Sequence, residues 1–419
     1  MKYDLVIKNA KIYDYERQKY LKIDIAVADG VIKKVNEHIK ATAKTVIDAK
    51  NNLVTPAFVD PHIHLDKCLI SEDIPENKSG TLKEAIVLTW ERKKKYTKKD
   101  ILSRAGRVIE WAVQNGTLFL RTHVDVDPIG GLVPLEGMLE VRQKYKNIVD
   151  LQIVAFPQEG ILQAEGTKEL MEEAIKLGAD VVGGMPHNER IPEDSRRHID
   201  ICFEIAQKYD KDIDMHVDET DDPNSQTLQY LAYKTIKEGY QGRVTACHTC
   251  ALAAYNDYYA QKVMDLVAEA KINMITNPAT NLMLEGRLDK QPIRRGITRV
   301  KELIERGINV AYGQDCVKDA FYPTWGKADM LEVGLILAHA AQFTLPKEIM
   351  YLYKMPTINS AKILGIKNYG IKDGDIASFN IINAPDIYEM FRLQPERLYV
   401  IREGKIVAMC TSEKKLYFS

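Results

Sequence analysis

The stretch PHIHLDK, residues 61–67, sets His62 and His64 two positions apart. On a strand, side chains two apart face the same side, so both imidazoles could reach one ion. HVDE at 216–219 adds a third imidazole, His216, with Glu219 just beyond it, and GQDC at 313–316 adds a carboxylate, Asp315, beside a thiol, Cys316. Three histidines and an aspartate form a donor set suited to one divalent ion, Zn²⁺ or Fe²⁺. Such an ion lowers the pKa of a bound water toward neutrality. A carboxyl that is not itself a ligand can then move protons, and Glu219 is spaced for that role. Its neighbour Asp218 reads as part of a solvated loop. CHTC at 247–250 could be a redox dithiol, a zinc site or a coincidence. No second cysteine pair accompanies it, so the thiols read as structural and His248 as the functional residue.

Six of the nine histidines (His62, His64, His123, His187, His216 and His248) fall at or just past the C-terminal end of a strand candidate. Those candidates are PAFVDPHIH (56–64), TLFLRTHVDV (117–126), DLQIVAFP (150–157), ADVVGGMP (179–186), DIDMHVDE (212–219), GRVTACHT (242–249), KINMITNP (271–278) and GINVAYGQD (307–315). Helix-like stretches such as TKELMEEAIKLG follow them. Eight β-then-α units are the count of a (β/α)8 barrel, whose active sites form at the C-terminal ends of the strands. Convergence of histidines there favours a site over packing.

Both chain ends read differently. Short apolar/polar alternations run through residues 1–56, with Asp29-Gly30 as a hairpin turn, and recur in GDIASFNIINA and RLYVIREGKIVAM. No useful helix period separates these strands. The expected organisation is an α/β chain with a (β/α)8 barrel over 57–360 and a small β-sandwich built from 1–56 and 361–419. The lysine run at 93–95 reads as a solvated helix face.

A net charge of −1 gives no reason to expect nucleic acid or an anionic membrane as partner. No apolar run is long enough to span a bilayer, and the first residues lack the apolar centre of a signal peptide. A cytoplasmic protein acting on a small molecule is expected, its six cysteines free thiols.

Longer strings carry a family resemblance: PHIHLDK, NKSGTL, RTHVDV, VDLQIVAFPQEGIL, LGADVVGGMPH, HVDE, RVTACHT, RRGITRVKE and the GQD strand end. Together they resemble the amidohydrolase superfamily, in particular its bacterial cytosine deaminase branch, over nearly the whole chain. The resemblance implies a barrel flanked by a β-sandwich, and a homo-oligomer. It implies that His62, His64, His216 and Asp315 hold one divalent metal and that Glu219 shuttles a proton to the ring and the leaving ammonia. It further implies that His248 orients the attacking hydroxide, that Gln158 reads the substrate's carbonyl edge, and that the Leu82 segment closes the pocket. His187 is expected at the substrate. The fourth strand lacks the lysine that bridges two metals in binuclear relatives, which points to a single ion.

Three departures cluster in one stretch. The branch has an acid where this chain has Cys316, a histidine where it has Gln314, and a tryptophan where it has Phe321. An acid replaced by a thiol removes a charge and an acceptor from the pocket wall. The expected activity is therefore hydrolytic deamination of a cyclic amidine or pyrimidine base of the cytosine class. The alternatives are 5-methylcytosine or creatinine. Loss of a polar contact changes substrate choice strongly.

Overall fold

A computed structural model describes residues 3–411 and 415–417. Eight parallel strands form the barrel: β6 (Phe58–Ile63), β7 (Thr117–Asp125), β8 (Asp150–Phe156), β9 (Val181–Gly184), β10 (Asp212–Val217), β11 (Val244–His248), β12 (Asn273–Thr276) and β13 (Val310–Tyr312). Strands covered on both faces should be apolar without alternation, and β7, β9 and β11 are buried at every position. All eight expected units are present. β13 returns to β6 not through a long ladder but through the residues just past its end. The Asp315 N–H donates to His62 O at 2.8 Å and the His64 N–H to Asp315 O at 2.9 Å.

The two ends of the chain share one eight-stranded sheet. It holds β1 (Tyr3–Asp14), β2 (Lys19–Ala28), β3 (Val31–Asn36), β4 (Ala43–Asp48) and β5 (Leu53–Pro56). It is completed by β14 (Phe379–Ile382), β15 (Arg397–Arg402) and β16 (Lys405–Met409). The expected hairpin joins β2 to β3, with Asp29 at φ 53° and Gly30 at φ 74°. Positive φ at both central residues gives the twist that suits a two-residue hairpin, and glycine takes it without strain. Leu5, Ile7, Ile25, Val54, Phe379 and Ile401 share one buried core, so residues from both termini fill it.

One expectation about the C-terminal part needs correction. A helix, Ile387–Leu393, lies between β14 and β15 where alternation alone left none; Asp386 caps it by accepting from Glu389 N at 3.0 Å. It is too short for its period to stand out. The expected junction at 360/361 falls within the helix Ser360–Ile363, whose Ala361 and Ile363 pack in the barrel core with Leu364. We propose a junction after Leu364.

The sheet docks on the barrel through buried polar contacts around the turn before β7. Arg397 is buried, pairs with Asp329, and donates to Asn115 O at 3.0 Å and Pro395 O at 2.9 Å. Asn380 donates to Gly116 O at 3.0 Å. Breaking one partner of a buried pair strands the other charge. Arg397→Ala is expected to destabilise the protein by about 3–5 kcal/mol, read as a lower urea unfolding midpoint. An unchanged midpoint would mean that the contact holds nothing together.

Candidate metal centre and pocket

Barrel closure brings the first and last strands together at their C-terminal ends, and the expected ligands meet there. His62 Nε2 lies 3.5 Å and His64 Nε2 3.4 Å from Asp315 Oδ1. His64 Nε2 lies 3.1 Å from His216 Nε2. One ligand atom from each of His62, His64, His216 and Asp315 falls within 4.8 Å of the others, and all four side chains are buried. Ile63, between the two histidines, faces away into the core. This is the period-two consequence of a strand.

The donors fit a cation. Both ring nitrogens of His62, Nδ1 of His216 and Oδ2 of Asp315 are buried without a hydrogen-bond partner. Buried polar atoms left unpaired are costly unless something else fills the role. Burial first, then Lys67 for His64 and the neighbouring imidazole of His248 for His216, holds both imidazoles well below their ordinary pKa. They are therefore neutral, as metal ligands must be. Burial opposes ionisation of Asp315, but the adjacent imidazoles of His62 and then His248 outweigh it and hold its carboxyl at about 2.

The strand ends that carry these groups are strained. Asp315 sits at φ 66°, His248 at 68° and Thr249 at 51°. Non-glycine residues in this region concentrate at functional sites, held there by their surroundings.

Glu219 and His248 stand beside the cluster. Glu219 Oε1 lies 3.1 Å from His248 Nδ1 and accepts from Asn281 Nδ2 at 3.2 Å. Burial, and then Asp315 and Glu285, push the Glu219 carboxyl well above its usual range. Burial and His62 lower His248 to about 3, against an opposing pull from Asp315. Asn277 Nδ2 lies 3.1 Å from His248 Nε2, so the imidazole is held at both nitrogens.

A small pocket opens against the cluster. Gln158, Leu82, Cys316 and Phe321 line it with Glu219 and His248. Leu82 starts α1 (Leu82–Lys93), which Thr81 caps by accepting from Glu84 N, while Glu84 accepts from Ser79 N at 2.7 Å. His187 is not brought to this cavity. It sits in the turn Pro186–Asn188 and borders a wider outer depression that shares Leu82 and Glu219. Gln314 also turns away, donating to Cys316 O at 3.2 Å.

Two further expectations are overturned. Asp218 is buried, not solvated: it accepts from Ser225 Oγ and Thr227 Oγ1 at 2.6 Å and from Leu228 N at 2.9 Å. It thereby accepts the first backbone N–H groups of the helix Thr227–Lys237 from nine residues upstream, in place of a capping side chain at Gln226. Lys93 is not part of a solvated face. It is fully buried, 2.7 Å from Asp125 and Asp127 and 3.0 Å from Glu159, while Lys94 and Lys95 stay exposed. The thiols of CHTC are buried and free, as expected; Cys247 Sγ lies 3.0 Å from Asp214.

Residues absent from the expected list also meet the site. Lys67 lines the cavity, 2.6 Å from Asp125 and bonded to Gln158 Oε1. Its signal was its place in PHIHLDK. Asn277 and Asn281, four apart at the start of the helix Pro278–Leu284, could have been found as one face of that helix. Phe156, Met185 and Thr280 complete the lining.

A family model for the amidohydrolase family matches residues 45–408. The chain belongs to this family. Among curated amidohydrolase relatives, it is 31% identical to N-isopropylammelide isopropyl amidohydrolase of Pseudomonas sp. (strain ADP), over 97% of each chain. It is also 31% identical to pterin deaminase of Rhizobium rhizogenes, over 92% of this chain and 88% of the relative. The crystal structure of 5-methylcytosine deaminase from Klebsiella pneumoniae, liganded with 5-fluorocytosine, superposes with a TM-score of 0.93 at 37% identity. That similarity covers 98% of this chain and 99% of the other. These relatives are hydrolases acting on C–N bonds, and so is this member of the family; its own clusters could hold the divalent ion that the family uses.

One glycine guards the centre. A Cβ on Gly313 would stand 2.6 Å from His62 O and 2.7 Å from His62 Cβ. Gly313→Ala must therefore move His62. Competition with a chelator is expected to show zinc affinity reduced about 10–100-fold, the scale for disturbing a ligand's support. Unchanged affinity would show that the close approach at Gly313 does not hold His62 in place for the ion.

Proposed function

We propose that this amidohydrolase deaminates a free pyrimidine base of the cytosine class, releasing ammonia from the carbon that bears the exocyclic amine. The observation that carries the reading is the cavity itself. Its walls carry a buried carboxyl, Glu219, and the amide of Gln158, facing one small space against His64, His216 and Asp315. A divalent ion in that site, zinc or iron, supplies the acidified water that such a reaction needs at neutral pH.

The chain's own groups supply the rest. Glu219 would take one proton from the water and pass it to the ring nitrogen, then carry the remaining hydroxyl proton to the departing amine as the C–N bond breaks. Burial pushes its carboxyl well above the usual range, which favours its holding the proton between the two transfers. His248, pinned by Asn277 and Asn281, holds the water toward the ring. Phe156 and Phe321 give the planar ring apolar contact, and Leu82 at the start of α1 shuts the pocket from the outer depression.

The finer choice among rings rests on Cys316 and Phe321. Cys316 is buried on the cavity wall, and burial, with Asp315 and Asp319 nearby, pushes its thiol well above the usual range, so it stays neutral. A neutral thiol tolerates a methyl group where a carboxylate would not. The 37% identity to a 5-methylcytosine deaminase supports the same choice. We take 5-methylcytosine as the preferred ring over cytosine and creatinine.

Two measurements test this. Ammonia release from the three rings is expected to rank 5-methylcytosine first in kcat/KM, and cytosine ahead by tenfold or more (about 1.4 kcal/mol) would overturn that preference. Glu219→Gln is expected to keep its metal while kcat falls at least about 100-fold, the usual contribution of a general acid–base. Full turnover by that variant would remove Glu219 from the mechanism.

A further inference from the structure

We propose that Lys67 sets which ring edge the pocket accepts, by locking the Gln158 amide in one orientation. The proposal rests on the deaminase reading and assigns a specificity-determining residue to it. An amide side chain offers a carbonyl at one end and an NH₂ at the other, and either could face a ligand. A lysine ammonium has donors only. Lys67 Nζ donates to Gln158 Oε1, so the amide's carbonyl end is consumed and its NH₂ is left over. Gln158 Nε2 is buried with no partner, in a side chain that lines the cavity.

Lys67 is itself well held. Its Nζ lies 2.6 Å from Asp125 Oδ1, and the rings of Phe156 and Phe321 stand 5.3 and 5.4 Å away. Asp125 is in turn anchored by Lys93 at 2.7 Å, on α1. The Gln158 backbone is tied down as well, its carbonyl accepting from Asn188 Nδ2 at 2.8 Å. This wall therefore presents only donors, the free N–H groups of Gln158 and Lys67. It takes a ring whose facing edge carries an acceptor, such as the 2-oxo group of cytosine or 5-methylcytosine, and rejects one with an amino group there.

The test compares cytosine with 2,4-diaminopyrimidine, which carries an amino group in place of the 2-oxo group and an unprotonated N1 beside it. Dissociation constants by calorimetry and kcat/KM for loss of the 4-amino group are measured on zinc-loaded wild type, Lys67→Met and Gln158→Glu. Wild type is expected to favour the 2-oxo ring by more than about 1,000-fold, the scale at which buried polar groups reject a mismatched analogue. In Lys67→Met the amide is free to turn, and the ratio is expected to fall to within about tenfold. Asp125 keeps Lys93 as partner in that variant, so its charge is not stranded. Gln158→Glu retains the bond to Lys67 but turns an acceptor inward, and is expected to invert the preference. General damage would weaken both rings together and leave the ratio alone.

A wild-type ratio retained in Lys67→Met, or no preference in wild type, overturns the role of Lys67. Selective binding of cytosine that Lys67→Met abolishes, without ammonia release by wild type, would keep that role and overturn the deaminase reading. Failure of wild type to bind either ring would overturn both.

Discussion

The structure depends on how its barrel closes. At their C-terminal ends, β6 and β13 are joined by backbone hydrogen bonds, from the Asp315 N–H to His62 O and from the His64 N–H to Asp315 O, so the bonds that close the barrel also set three candidate ligands side by side. A barrel of eight tilted strands must stagger to close, and the register at the seam decides which side chains meet there. With a period of two along a strand, a slip of one residue would turn His62 and His64 into the helical layer and Ile63 into the lumen. Gly313 permits the close approach, since any side chain there would strike His62. Folding and site assembly are thus one event at this seam.

Around that seam lies an unusual amount of buried charge. Lys67, Lys93, Asp66, Asp125 and Asp127 are all buried within the barrel mouth, and Arg121 pairs with Asp214 beneath His123. Burying ions is expensive unless each has close partners, and pairs of this kind secure one arrangement more than they add stability. Here they hold Gln158 and α1, and so shape the pocket. The price of that order is paid by the apolar core beneath it, which runs unbroken through the barrel strands.

Much of this was legible in the residues. The eight barrel strands were visible because strands covered on both faces make short apolar runs with turn signals after them, and the histidines and the aspartate that meet at the seam were visible as candidates because they stood at the ends of those runs. What escaped depends on contacts between distant segments. Lys93 looked like one of three solvated lysines, because nothing local shows that Asp125, Asp127 and Glu159 surround its Nζ. Asp218 looked exposed beside Glu219, because its partners lie seven to ten residues onward, in a helix entry. His187 stood at a strand end like the other histidines, yet a short turn carries it out of the inner cavity. The helix Ile387–Leu393 was hidden by its two-turn length. Segment type was readable; the direction of side chains after each strand end was not.

The central claim is that one divalent ion, held at the seam, makes this chain a deaminase. Its most direct test is to strip the protein of metal and titrate it with zinc or iron while following ammonia release from 5-methylcytosine. Activity is expected to be absent without metal, to rise in proportion to the ion added, and to stop rising at one ion per chain, as for a site of three histidines and a carboxylate. Ammonia release from the stripped protein, or a rise that continues to two ions per chain, would contradict the account.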